Sequence, residues 1–132
     1  LRRIEKRRRW RTDIVTGSSI TIYHNPRCSK SRQTLQLIRE SGVEPNVVEY
    51  LKTPPSVEEF TSILDKLGLE PAALMRRKET VFNELSLADR VLTRDEAIAV
   101  LVENPVLIER PIVVKGRKAV IGRPPENVNK LL

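Results

Sequence analysis

Cys28 is the only cysteine in the chain, and it stands in Tyr23-His24-Asn25-Pro26-Arg27-Cys28-Ser29-Lys30-Ser31-Arg32. Strand-forming residues Ile20 to Tyr23 precede it, Asn25-Pro26 breaks them, and a helical pattern begins at about Lys30. A sulfur so placed lies over a helix N-terminus, where unpaired amides and the positive end of the helix dipole favour a thiolate. Arg27, Lys30 and Arg32 add positive charge nearby. Ser31 is spaced to donate a hydrogen bond to the sulfur, and His24 at the strand end is spaced to hydrogen-bond or charge-tune the loop. A lone cysteine can equally be a small buried hydrophobe; the strand-turn-helix position and its basic neighbours favour a reactive thiol. With no second cysteine, an internal disulfide and a cysteine zinc site are excluded, and any redox cycle at Cys28 needs an external resolving thiol.

Thiolate formation alone supplies little catalysis. A thiol of pKa about 8.5 is about 3% ionised at pH 7, and a shift to about 6.5 raises that to about 75%. The lower nucleophilicity of the more acidic thiol cancels most of this, leaving a gain of a few-fold. The larger share has to come from orienting a substrate and stabilising its charge. Arginines at element ends are the candidates: Arg76 and Arg77 after Ala72-Ala73-Leu74-Met75, Arg110 before Pro111, and Arg123 after Gly122. Guanidinium forks match tetrahedral oxyanions through paired hydrogen bonds. Spacing alone does not separate these arginines from surface-solubilising ones. Other cysteine chemistries fit less well. A phosphotyrosine-phosphatase loop needs a longer Cys-to-Arg spacing than that from Cys28 to Arg32, a Cys-His protease lacks an identifiable third residue, and one His with one Cys makes no metal site.

The elements that must hold these residues follow from periodicity. Ile20 to Tyr23 reads as a strand, Lys30 to Ser41 as a helix with Leu35 and Ile38 inward, and Asn46 to Leu51 as a second strand. One helix between two strands is a β-α-β unit and predicts a parallel pair. Ser56 and Glu59 have capping-box spacing before a helix with Val57, Phe60, Ile63, Leu64 and Leu67 on one face and Gly68 as its stop. A shorter helix is predicted from Pro71, another after Thr93 with Glu96 three residues on, and Asn104-Pro105 closes this helical section. Ile112 to Val114 and Ala119 to Ile121 flank a hairpin loop, and Pro124-Pro125 opens a final short helix. The order predicts an α/β fold with a four-stranded mixed sheet and a helical insertion between β-α-β and β-β-α parts.

The chain of 132 residues carries a net charge of +7, on its face a nucleic-acid-binding signature. Residues 1–13 hold seven of the basic residues against Glu5 and Asp13, a net +5, which leaves +2 for the rest. Residues 1–18 are therefore expected to be a basic, disordered arm, and residues 19–132 the folded domain. The arm's Arg7-Arg8-Arg9-Trp10-Arg11 offers one aromatic and no stacking platform, so nucleic acid is not the expected partner. No apolar run is long enough for a membrane span or a secretory core.

Five segments, Ile22-Tyr23-His24-Asn25-Pro26-Arg27-Cys28, Ser31-Arg32-Gln33-Thr34, Tyr50-Leu51-Lys52-Thr53-Pro54-Pro55, Arg110-Pro111-Ile112-Val113-Val114 and Gly122-Arg123-Pro124, give the chain from about Ser19 to Leu132 a resemblance to a known family. Together they resemble the arsenate reductase family of the glutathione- and glutaredoxin-coupled type, which implies a thioredoxin-like fold. The resemblance makes Cys28 the nucleophile, places Arg76, Arg110 and Arg123 around the substrate oxyanion, and gives His24, Ser31 and Arg32 the tuning of the thiolate. It also implies a cis Arg110–Pro111 bond, with Pro111 structural beside the cysteine. The implied partners are arsenate, glutathione as co-substrate and glutaredoxin, with no bound cofactor or metal and a cytoplasmic location. Typical arsenate reductases of this class have Gly-Thr after the cysteine; the Ser29-Lys30 found here resembles a broader arsenate-reductase-like branch. Spx-type regulators that bind RNA polymerase share the fold, but typically have Cys-x-x-Cys and lack the last arginine. Ser31 and Arg123 thus favour the enzyme. A thiol oxidoreductase acting on another oxyanion or on glutathione-mixed disulfides is the remaining alternative.

Overall fold

The computed structural model describes residues 19–132, so the arm expected over 1–18 lies outside the described residues. The sheet has the order β2-β1-β3-β4, formed by β1 (Ile20–His24), β2 (Asn46–Glu49), β3 (Ile112–Lys115) and β4 (Lys118–Ile121). β1 runs parallel to β2 and antiparallel to β3, and β3 runs antiparallel to β4. The parallel pair, the hairpin and the mixed four-stranded sheet are as the sequence predicts, and the fold is thioredoxin-like. Gly116, at φ 61°, supplies the positive backbone angle of the tight turn between Lys115 and Lys118, which face each other in the hairpin register.

Side-chain alternation on β1 divides the core and aims the site. Ile20 and Ile22 point to one face, where they pack with Ile38, Val113, Val128 and Leu131 beneath α1 (Ser29–Glu40). His24 continues that parity and so lies under the first turn of α1. Tyr23 and Ile112 point the other way, into a larger core with Phe60, Ile63 and Leu64 of α2 (Val57–Leu67) and Ile98 and Leu101 of α4 (Arg94–Glu103). Val57, predicted on the inward face of α2, stands at its first residue and is 46% exposed. It precedes the turn in which the helix meets the sheet.

The helix boundaries follow their caps. Thr93 and Glu96 close a full capping box on α4. Ser56 accepts the Glu59 amide at 3.1 Å, but the Glu59 carboxylate accepts the Tyr23 hydroxyl at 2.8 Å, so half of the predicted box is exchanged for a tertiary bond. The segments from Pro71 and Pro125 are 3-10 helices (Pro71–Leu74 and Pro125–Leu131), and α3 (Thr80–Glu84) with a 3-10 turn at Leu87–Asp89 completes the insertion. Neither of the last two is predicted from sequence, being too short to show periodicity. Among the described residues no helix is long and apolar enough to cross a membrane.

Gly122, just past β4, is packed tightly against Thr34 of α1 and Pro111, the residue before β3. Its amide donates to the Pro111 carbonyl at 2.9 Å, and its carbonyl accepts the Thr34 hydroxyl at 3.2 Å. A Cβ here would lie 2.6 Å from Thr34 Oγ1 and 2.8 Å from Pro111 Cγ. Gly122→Ala is therefore expected to cost about 1–3 kcal/mol by overpacking, lowering Tm by roughly 5 °C or more in a thermal melt. An unchanged Tm would mean that the junction is loosely packed.

Candidate functional site

Cys28 is the N-cap of α1, with extended backbone (φ −92°, ψ 122°) and no side-chain cap bond. Its amide donates to the Asn25 carbonyl at 3.0 Å, and its carbonyl accepts the Arg32 amide at 3.0 Å, so the loop delivers the sulfur to the helix start. The thiol is partly exposed. Burial pushes its pKa up, but the Ser31 amide, the Arg110 guanidinium and the Lys30 amide together pull it below the ordinary thiol value. The helix-start amides act as the strand-turn-helix position predicts, but the cation that favours the thiolate is Arg110 from across the fold, while Lys30 contributes its amide.

The predicted neighbours divide between contacting the sulfur and shaping its loop. Ser31 reaches the sulfur through its amide. Its hydroxyl, predicted to donate to the sulfur, turns to His24 Nδ1 at 2.6 Å and accepts the Asn25 amide at 3.1 Å. His24 is buried, and desolvation is the main cause that lowers its pKa, which keeps the ring neutral at neutral pH. Such a ring can accept the Ser31 hydroxyl proton, because Ser31 Oγ already accepts from Asn25. His24 therefore acts on the loop through Ser31 and Asn25. Arg32 donates to the Pro26 carbonyl at 2.9 Å, which ties the turn to the helix.

Arg123 and Arg110 reach this loop, and Arg76 joins them through Glu109. Arg123, two residues past β4, directs Nη1 to Cys28 Sγ at 3.6 Å and to the Arg110 carbonyl at 3.4 Å. Arg110 precedes β3, its bond to Pro111 is cis, and a second cis bond joins Arg123 to Pro124. Arg110 Nη1 donates to the Val106 carbonyl at 3.3 Å, while its buried Nε has no hydrogen-bond partner among the described residues. A buried, unpaired guanidinium nitrogen is costly unless an acceptor can be placed against it. Arg76 arrives from the insertion through a short antiparallel bridge between Met75 and Ile108. In that bridge the Arg76 amide donates to the Leu107 carbonyl at 2.8 Å, and the Glu109 amide donates to that of Leu74 at 2.7 Å. Arg77 stacks on the Phe82 ring instead, 5.4 Å from its centroid.

Two further residues belong here that sequence reasoning leaves without a role, Glu109 and Tyr50. Glu109 accepts Arg76 Nη1 at 2.8 Å and the Arg110 amide at 3.2 Å, and lies 3.6 Å from Arg123 Nε. Tyr50 is 1% exposed, and its hydroxyl, like Arg110 Nε, has no hydrogen-bond partner among the described residues. Burial raises the Tyr50 pKa, with the Arg110 charge opposing. Beside these residues opens a cleft of about 350 Å³ lined by Met75, Arg76, Arg77, Lys78, Glu109 and Arg123. The arrangement combines an activated sulfur nucleophile with guanidiniums converging from three segments, suited to attack on a small anion. Among the described residues no three His, Cys, Asp or Glu side chains are grouped to hold a metal ion.

The profile of the ArsC family matches residues 23–131. An uncharacterized protein of Escherichia coli K12, YfgD, is 53% identical over 114 residues, 86% of this chain and 96% of that protein. An arsenate reductase of Neisseria meningitidis serogroup A is 46% identical over 86% of this chain and 97% of its own. The solved structure of an arsenate reductase from Vibrio cholerae superposes with a TM-score of 0.83 at 51% identity, covering 87% of this chain and 98% of that one.

Proposed function

The chain belongs to the ArsC family, and from that premise we propose that it reduces arsenate to arsenite through Cys28, with glutathione and glutaredoxin supplying the electrons. The convergence of Arg123 and Arg110 on a sulfur held at a helix start carries the reading. Relatives named arsenate reductase at 43–46% identity support the substrate.

The Cys28 thiolate attacks arsenic, an S–As bond forms and one oxygen leaves as water, with arsenic still in the +5 state. Arg76, Arg110 and Arg123 balance the oxyanion charge in this step and hold arsenic in line with the sulfur. A glutathione thiol displaces a second water and joins arsenic. The cleft beside the site, where Arg76, Arg77, Lys78 and Arg123 outnumber Glu109, offers positive charge for this anionic tripeptide. A glutaredoxin thiolate then attacks the glutathione sulfur. A disulfide forms, the S–As electron pair stays on arsenic as it becomes +3, and water hydrolyses the Cys28–arsenic bond to release arsenite. The sum is arsenate and two thiols giving arsenite, one disulfide and one water. Because Cys28 is the chain's only thiol, both electrons come from outside. The reducing cytoplasm is the compartment in which such thiols are available.

The test is NADPH consumption and arsenite release by the purified chain with arsenate, glutathione, glutaredoxin and glutathione reductase. Arsenite formation should require glutathione and glutaredoxin. No turnover above background would remove arsenate as the substrate, and turnover unaffected by omitting glutaredoxin would remove that partner. The Spx-type regulator reading is weaker, because Ser31, standing at the second-cysteine position, is committed to His24.

A further inference from the structure

We propose that Glu109 sets the charge of the anion the site accepts, disfavouring dianions relative to monoanions. The inference rests on the arginines forming an anion clamp, and not on arsenate being the substrate. Glu109 is the group on which the clamp converges: Arg76 Nη1 at 2.8 Å, the Arg110 amide at 3.2 Å and Arg123 Nε at 3.6 Å. Arg76 is held a second time by Glu79, 3.2 Å from its Nε. The two carboxylates thus already occupy guanidinium positions that an entering anion would use.

Glu109 and Arg76 are both largely shielded, with side chains 27% and 21% exposed, so their charges are less screened than surface ones. An entering oxyanion competes with Glu109 for the same arginines and is repelled by it in proportion to its own charge. A dianion feels this repulsion twice as strongly as a monoanion of the same shape. The same carboxylate keeps Arg76 and Arg123 oriented, so its removal by truncation would confuse charge with position. Glutamine keeps the acceptor oxygen and removes only the charge.

Protection of Cys28 from iodoacetamide by sulfate and by methanesulfonate tests this. Both are tetrahedral, and at pH 7 they carry two charges and one. Each variant's alkylation rate is normalised to its own rate without added anion. In Glu109→Gln the half-protecting sulfate concentration should fall about tenfold and that of methanesulfonate about threefold, because the fold-change scales exponentially with anion charge. Glu109→Asp, which keeps the charge, should stay within about twofold of wild type for both. Equal shifts for the two anions, no shift, or weaker sulfate protection in Glu109→Gln would each overturn the proposal, the last by making Glu109 only a strut. Lack of protection by either anion in every variant would remove the clamp itself. Failure to reduce arsenate would leave these results untouched, so the two readings fail separately.

Discussion

Cys28→Ser should lose arsenate reduction to the assay floor, a fall of at least about 10³-fold, while folding as well as wild type or better. The loss follows from chemistry that oxygen cannot replace. A serine hydroxyl is scarcely ionised at neutral pH, and an oxygen ester of arsenic does not provide the sulfur-bound intermediate that glutathione addition and glutaredoxin attack act upon. Removal of a nucleophile from a site whose parts act together costs the full concerted gain. The stability half of the prediction comes from the cap. Cys28 makes no side-chain cap bond, whereas serine is among the preferred N-cap residues, a difference of about 0.5–1 kcal/mol in its favour. A thermal melt of Cys28→Ser with Tm equal to or above wild type, beside absent turnover, would separate chemistry from folding. Residual turnover above about 1% would show that arsenic is reduced without a bond to this chain, since no second cysteine can substitute.

The legibility of the site differs between its local and its long-range parts. Cys28 at a helix start could be read because a strand, a breaker and a helix follow one another within a dozen residues, and each has a local signature. The roles within that loop were less legible. Spacing cannot tell whether Ser31 offers its amide or its hydroxyl to the sulfur, and the His24 ring decided it by taking the hydroxyl. The position of His24 itself could have been derived from the alternation Ile20, Ile22, His24 along β1. Arg76, by contrast, reaches the cleft through the Met75–Ile108 bridge, a pairing of two residues with no strand pattern on either side. Periodicity is silent there, and only the family resemblance singled it out. Glu109 escaped both routes, because an acidic residue beside Arg110 reads as ordinary surface until Arg76 and Arg123 are brought to it from elsewhere in the chain. The same division holds for the fold. Long elements with full caps, such as α4, match their predicted extents, while α3 and the 3-10 segments have too few turns to leave a period.

Arg110→Ala should cost more than either of the other arginine truncations, with a loss of about 10² or more in kcat/KM, or about 2.7 kcal/mol of transition-state stabilisation. Arg110 acts on both partners of the reaction. It is a main cause of the lowered Cys28 pKa, and its Nε has no acceptor among the described residues, so that turning it toward an oxyanion breaks no existing hydrogen bond. Arg76 already spends Nε and Nη1 on Glu79 and Glu109, and Arg123 is the more solvent-facing of the clamp. The effect on the thiol has a definite sign. A cation that favours the thiolate lowers the pKa, so its removal moves the midpoint of iodoacetamide alkylation to higher pH, toward that of an ordinary thiol, and slows alkylation at pH 7. Arg110→Lys keeps the charge but not the planar fork, so it should restore most of the alkylation midpoint and recover only part of kcat/KM. That split distinguishes a residue that binds the oxyanion from one that merely tunes the sulfur. If Arg110→Ala moves the alkylation midpoint but costs less than tenfold in kcat/KM, its part is confined to the thiolate, and Arg76 and Arg123 hold the anion without it.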